Sequence, residues 1–254
     1  MNTPVHVEQS DGVQIITINR PEIRNAIDTE TAVAIAAALD ELDDRDDLVA
    51  GVITGAGRTF CTGMDLKAFL AGERPSVEGR GFAGITEKSP AKPLIAAVEG
   101  HAVAGGFEIV LACDLIVASE TAVFGLPEVK RGLLAGGGGL LRLPRRVPHQ
   151  LAVEWCLTGE FVSATTAYDA KLLNRLVPEG TALEEALQLA RTIAKNGPLA
   201  LRATKEIIAQ ARDWSNAEEF DRMREIYEPV RSSQDAQEGA RAFKEKREPV
   251  WQGR

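Results

Sequence analysis

The chain has 254 residues, of which 44% are hydrophobic and 26% charged, with a net charge of −8 and a pI near 5.1. That length suits one large domain, or a domain with an appendage, and the acidic balance excludes nucleic acid as a principal partner. Cys61, Cys113 and Cys156 are scattered and give no disulfide framework, there is no basic-then-apolar leader, and no apolar run reaches the ~18 residues of a membrane span, so a soluble cytoplasmic protein is expected.

Short extended runs at 5–9 and 13–19 flank Asp11-Gly12, a pair that favours a hairpin turn. Pro21 ends the second run. Asp28 is then placed to cap a helix in which Val33, Ile35, Ala36, Leu39 and Leu42 recur at helical spacing. The acidic run 40–47 reads as the solvated end of that helix. Residues 48–54 (LVAGVIT) form a buried-strand candidate ahead of Gly55-Ala56-Gly57, and 66–70 read as helical. The stretch 72–92, rich in Gly, Glu, Ser and Pro, has weak periodicity and reads as a mobile loop with one helical turn, the kind of segment that shapes a pocket.

Residues 93–98, 114–118 and 122–124 are further short strands, with a strand-like pair at Pro127-Glu128. Strands alternating with helices argue for an α/β chain built on a parallel or mixed sheet. Beyond the glycine run 136–139, helical periodicity takes over at 151–157, 164–173, 183–194, 199–211, 218–227 and 236–246, interrupted only by Leu176-Val177.

Chemistry concentrates between Glu99 and Glu128. A strand ends near Gly100, and Ala104-Gly105-Gly106 leads into a helix carrying Glu108 in its first turn. Glycines there let backbone approach a ligand, and the first amides of a helix are unpaired donors suited to a developing anion. Those donors and two carboxylates, Glu108 and Glu128, suggest acid–base chemistry on a carbonyl compound. The Gly55-Ala56-Gly57 turn lacks the third glycine and the following helix of a dinucleotide site. His6, His101 and His149 are too dispersed for a zinc site, and nothing marks a Ser-His-Asp triad.

Residues 53–69 (ITGAGRTFCTGMDLKAF) form a second strand–Gly turn–helix unit about 40 residues before the first. With Arg20-Pro21, Asn25-Ala26, Pro127-Glu128 and the tail Glu238-Gly239, Ala242-Phe243 and Glu245-Lys246-Arg247, this pairing resembles the crotonase (enoyl-CoA hydratase/isomerase) superfamily over nearly the whole chain. The resemblance implies a crotonase-type spiral of ββα units over 1–195, with a helical oligomerisation region at 196–254 and a homotrimer or homohexamer. It implies that the backbone amides of Met64 and Gly105 form an oxyanion hole for an acyl thioester, and that Glu108 and Glu128 divide the proton transfers of hydration. Arg24, Ala26, Thr62, Leu66 and Lys67 match positions that hold coenzyme A, and Phe243 and Lys246 match positions a neighbouring subunit contributes. No metal or redox cofactor is implied.

Gly81-Phe82-Ala83-Gly84, Leu141-Arg142-Leu143-Pro144 and Glu245-Lys246-Arg247-Glu248-Pro249-Val250-Trp251 resemble the carnitinyl-CoA dehydratase branch more narrowly. Met64 departs from it, since tryptophan would be the closer match, and no aromatic cage for a trimethylammonium group is evident. Ala135 with the glycines 136–139 replaces a proline-led turn and is expected to reshape the pocket floor near Glu128. Hydration of an enoyl-CoA is therefore the expected reaction, with a 3,2-enoyl-CoA isomerase or a non-catalytic acyl-CoA-binding protein as alternatives.

Overall fold

Asp11 and Gly12, at φ 54° and 76°, turn β1 (Val5–Ser10) back onto β2 (Val13–Ile18) as an antiparallel pair. The computed structural model describes residues 3–254. A 3-10 turn at Pro21–Ile23 leads to α1 (Thr29–Asp44), whose first turn is capped by Asp28, its carboxylate accepting from Thr31 N–H at 2.8 Å. Such a cap is worth about 1 kcal/mol.

The chain then lays down β3 (Ala50–Gly55), α2 (Leu66–Leu70), the two-residue strands β4 (Ser76–Val77) and β5 (Gly81–Phe82), and β6 (Leu94–Val98). Next come β7 (His101–Val103), α3 (Gly105–Ala112), β8 (Leu115–Ser119) and β9 (Val123–Gly125). A 3-10 turn at Pro127–Arg131 precedes α4 (Gly139–Arg142), α5 (His149–Thr158), β10 (Val162–Ser163), α6 (Ala164–Asp169) and β11 (Arg175–Val177). Four helices close the chain: α7 (Ala182–Ala194), α8 (Pro198–Gln210), α9 (Glu219–Arg231) and α10 (Gln234–Glu245).

Among the described residues the main sheet has six strands in the order β1-β2-β3-β6-β8-β11, all parallel after the first hairpin. β3 is buried at all but its last residue and β6 throughout, as expected of strands covered on both faces. Alternation sorts their side chains. Ile16, Ile53, Ala96 and Ile116 point into the larger core with α1 and α3, while Val13, Val52, Ile95 and Val117 meet α7. Ala182, Ala186 and Ala190, four apart and fully buried, let α7 lie close against that second face. A smaller sheet, β10-β9-β7, stands beside the chemistry-bearing segment.

Several expectations are corrected. Pro127-Glu128 is not a strand but the start of a 3-10 turn, since proline fixes φ and lacks the N–H a ladder needs. β7 was not anticipated from the sequence; its three residues give too short a period to read. The helix expected over 164–173 ends at Asp169. The stretch 72–92 is not an unstructured loop: β4 and β5 pair, and Arg80, Ala83, Ile85 and Thr86 are buried. Arg80 pairs with Asp40, and Asp43 accepts from the Ala91 and Lys92 amides at 2.8 and 3.1 Å, so part of the acidic run anchors this stretch.

Candidate active site

The corner between β7 and α3 is made by Ala104, at φ 52° and ψ −131°, a conformation that costs a non-glycine residue on the order of 1–3 kcal/mol. Its surroundings hold it there: Ala104 N–H donates to the Gly125 carbonyl at 2.9 Å, and the Phe107 and Glu108 amides donate to the Ala104 carbonyl at 2.9 and 3.1 Å. The two glycines that follow are required by packing. A Cβ on Gly105 would lie 2.4 Å from the Phe82 ring, and one on Gly106 would lie 2.1 Å from the Cys61 carbonyl oxygen.

Cys61 belongs to the other Gly-bearing turn, and the two turns are laced together. Cys61 N–H donates to the His101 carbonyl at 3.0 Å, and Val103 N–H to the Cys61 carbonyl at 3.1 Å. Gly63 sits at φ 90°, and a Cβ there would be 2.9 Å from the Gly105 nitrogen. Met64 is held by a bridge to Ile27, in which Ile27 N–H donates to the Gly63 carbonyl and Asp65 N–H to the Ile27 carbonyl, both at 2.8 Å. Among the described residues, neither the Met64 nor the Gly105 amide has a backbone acceptor. The two turns that carry these residues are therefore in contact, and each presents one amide without a backbone acceptor.

Glu108 lies on the first turn of α3 and is only 4% exposed. Burial pushes its carboxyl up to about 7; the Gly139 amide, donating to Oε1 at 2.9 Å, opposes the rise, and the charge of Glu128 adds to it. Glu128, in the 3-10 turn after β9, is half-buried, and its carboxyl is likewise raised by desolvation, with the Arg131 guanidinium pulling the other way. Its Oε2 is buried and has no hydrogen-bond partner. An orphaned buried acceptor within electrostatic reach of a second raised carboxyl is the arrangement expected of a proton-transfer pair.

The glycine run lies against Glu108, whose carboxyl is within electrostatic reach of Glu128. A Cβ on Gly137 would be 2.7 Å from Glu108 Oε2, and one on Gly139 would be 3.1 Å from Oε1. The sequence marked the glycine run as pocket-shaping but gave Gly139 no partner, and Phe82 and Arg142 stood only in branch motifs without a role at the site; a run of four glycines marks a place where backbone must approach something closely.

Of the positions matched to coenzyme A, five gather beside Met64. Thr62 donates from both its amide and its hydroxyl to the Arg24 carbonyl, at 3.2 and 3.3 Å, with Ala26 next to the Ile27 bridge. Leu66 and Lys67 are exposed at the start of α2, behind the Asp65 cap. Phe243 and Lys246 are not brought to this group within one chain: they lie on and just after α10, which packs on α9, and Phe243 is 89% exposed. Two cavities of about 550 and 570 Å³, one around Arg146 and Leu151 and one along α10, are lined by neither Glu108 nor Glu128.

A family model described as Enoyl-CoA hydratase/isomerase matches residues 8–254. The chain belongs to the enoyl-CoA hydratase/isomerase family. It is 40% identical, over the full length of both chains, to a protein from Salmonella heidelberg (strain SL476) named carnitinyl-CoA dehydratase. Among solved structures it is similar to an enoyl-CoA hydratase from Mycobacterium marinum, with 53% identity, full coverage of both chains and a TM-score of 0.98. A carnitinyl-CoA hydratase from Mycobacterium avium gives 42% identity, again with full coverage of both chains, and a TM-score of 0.80. The crotonase fold of this family accounts for the mixed sheet followed by helices.

Proposed function

We propose that the protein is a hydro-lyase that reversibly adds water across the double bond of a 2-enoyl-CoA thioester. The observation that carries this reading is the pair of raised carboxyls, buried Glu108 and half-buried Glu128, together with two amides without backbone acceptors. The thioester oxygen accepts from the Met64 and Gly105 amides. Electron density moves onto it as water attacks Cβ, and each preorganised donor aimed at such an oxyanion is commonly worth ~3–4 kcal/mol. One carboxylate takes a proton from the attacking water while the other carboxyl gives a proton to Cα. A pair holding a single proton between its members meets that need, and its proton belongs to the pair rather than to either residue. The oxygen–carbon and hydrogen–carbon bonds formed consume one water, and the pair ends with its proton moved from one member to the other.

Coenzyme A enters as the carrier of the substrate, with Arg24, Ala26, Thr62, Leu66 and Lys67 holding it; the reaction uses no metal or redox cofactor. Homotrimeric or hexameric assembly in the cytoplasm completes the reading. It is supported by α8 and α9, which have no buried residue in the single chain although Ile208, Phe220 and Tyr227 are apolar and exposed. In the assembly, Phe243 and Lys246 meet the coenzyme A of a neighbouring subunit. The test is a panel of 2-enoyl-CoA esters, crotonyl-CoA and crotonobetainyl-CoA among them, assayed for loss of the conjugated absorbance in oxygen-18 water. The reading requires label in a 3-hydroxyacyl product; double-bond migration without label would assign an isomerase instead. Turnover of the trimethylammonium ester above the others would place the chain's substrate with those of its carnitinyl-named relatives.

A further inference from the structure

The Arg142 guanidinium, half-buried at the end of α4, donates to two backbone carbonyls from different loops. One Nη1–H reaches the Gly137 carbonyl at 3.4 Å, and Nη2–H bonds the Thr86 carbonyl. Gly137 belongs to the run that wraps the Glu108 carboxylate. Gly138, the αL residue at φ 97° between Gly137 and the Gly139 donor, lies against the guanidinium, so that a Cβ there would sit 2.1 Å from Arg142 Nη1 and push it aside. Thr86 belongs to the turn after β5, where the Ile85 and Thr86 amides both donate to the Phe82 carbonyl at 3.2 Å. Phe82 in turn packs its ring on Gly105. The same guanidinium thus touches both the loop that holds the acid–base carboxylate and the loop that backs the thioester-facing amide.

We propose that Arg142 is a positioning residue for the reaction, its planar guanidinium fixing the Glu108 carboxylate relative to the Gly105 amide by bridging the Gly137 and Thr86 carbonyls. This rests on the function proposed above. Two properties of the side chain matter separately. Its fork can satisfy two carbonyls at once, which a lysine ammonium on a flexible stem does less well. Its charge also acts on Glu108, favouring the ionised form against burial. A site in which reacting groups are misplaced by about 1 Å can lose ~10²-fold in rate, so loosening this strut should be visible in kcat.

The experiment compares wild type with Arg142→Lys and Arg142→Met, measuring crotonyl-CoA hydration and, separately, the titration of the Glu108 carboxyl by carbon-13 NMR, with Glu108→Gln providing the assignment. Arg142→Lys should lower kcat by roughly 10–100-fold with little change in KM while leaving the Glu108 midpoint near that of wild type, because charge is kept and geometry lost. Arg142→Met should lower kcat at least as far and move the Glu108 midpoint to higher pH. Wild-type kcat in Arg142→Lys, or an unchanged Glu108 midpoint in Arg142→Met, overturns the role assigned to Arg142. Should Arg142→Met not fold, Arg142→Lys decides alone. A wild type inactive on every enoyl-CoA strikes the proposed function instead, and the titration then judges Arg142 without any turnover.

Discussion

Replacing Glu108 by glutamine should make the protein more stable at neutral pH while abolishing its activity. Glu108 is 4% exposed, and burial holds its carboxyl at about 7 rather than the ordinary 4.5. Below the lower value the folded and unfolded chains both carry the proton, and the residue imposes no penalty. As pH rises from there, the unfolded carboxyl ionises while the folded one keeps its proton, so stability falls until the folded group also ionises. Each pKa unit corresponds to about 1.4 kcal/mol, which puts the loss at about 3 kcal/mol once the pH has passed the folded value. Glutamine is neutral throughout and retains an oxygen for the Gly139 amide, which donates to Glu108 at 2.9 Å. Urea unfolding of wild type and Glu108→Gln, at one protomer concentration because assembly contributes to apparent stability, should give similar free energies near pH 4.5. The variant should lead by about 2–3 kcal/mol near pH 8. A gap that does not change with pH, or a wild type that is the more stable near pH 8, would refute the reasoning.

Other outcomes follow from the same geometry. The pH profile of kcat/KM should be bell-shaped, falling on the acid side as the pair takes a second proton and on the alkaline side, near pH 7, as it loses the shared one; the alkaline limb of kcat should lie higher, because bound thioester excludes water and deepens burial. Gly137→Ala places a Cβ 2.7 Å from Glu108 Oε2 and should reduce kcat by roughly 10-fold or more with KM nearly unchanged, read by steady-state kinetics. Gly105→Ala puts a Cβ 2.4 Å from the Phe82 ring and should destabilise the fold by about 1–3 kcal/mol in thermal or urea unfolding, as overpacking generally does. Asp28→Ala should cost about 1 kcal/mol of stability in urea unfolding through the lost cap of α1, where its carboxylate accepts from the Thr31 amide at 2.8 Å.

The elements that periodicity could reveal were legible in the sequence. The buried runs of β3 and β6 and the apolar stripe of α1 come from residues whose spacing is set by the element they occupy. Ala104-Gly105-Gly106 announced the corner before α3 for the same reason, since the backbone conformation and the close approach of Cys61 both demand small residues. Strands of two or three residues, such as β7 and β5, carry no period, and their existence depends on partners distant in sequence. The environment of Glu108 was hidden in the same way. Gly139 and Arg142 lie 31 and 34 residues beyond it by numbering, and nothing local says which carboxylate a glycine run will wrap. The two matched positions Phe243 and Lys246 were legible as motif residues, yet a single chain leaves them apart from Arg24 and Thr62.

The central claim is that Glu108 and Glu128 act together on one water, and initial-rate hydration of a 2-enoyl-CoA by wild type, Glu108→Gln and Glu128→Gln tests it most directly. Each glutamine keeps the shape of the side chain and removes the ability to exchange a proton, so each single variant should lose at least ~10²–10⁴-fold in kcat, the range of a general acid or base. The double variant should be little worse than either single one, because the residues work as a unit. Turnover unchanged in both single variants would contradict the account.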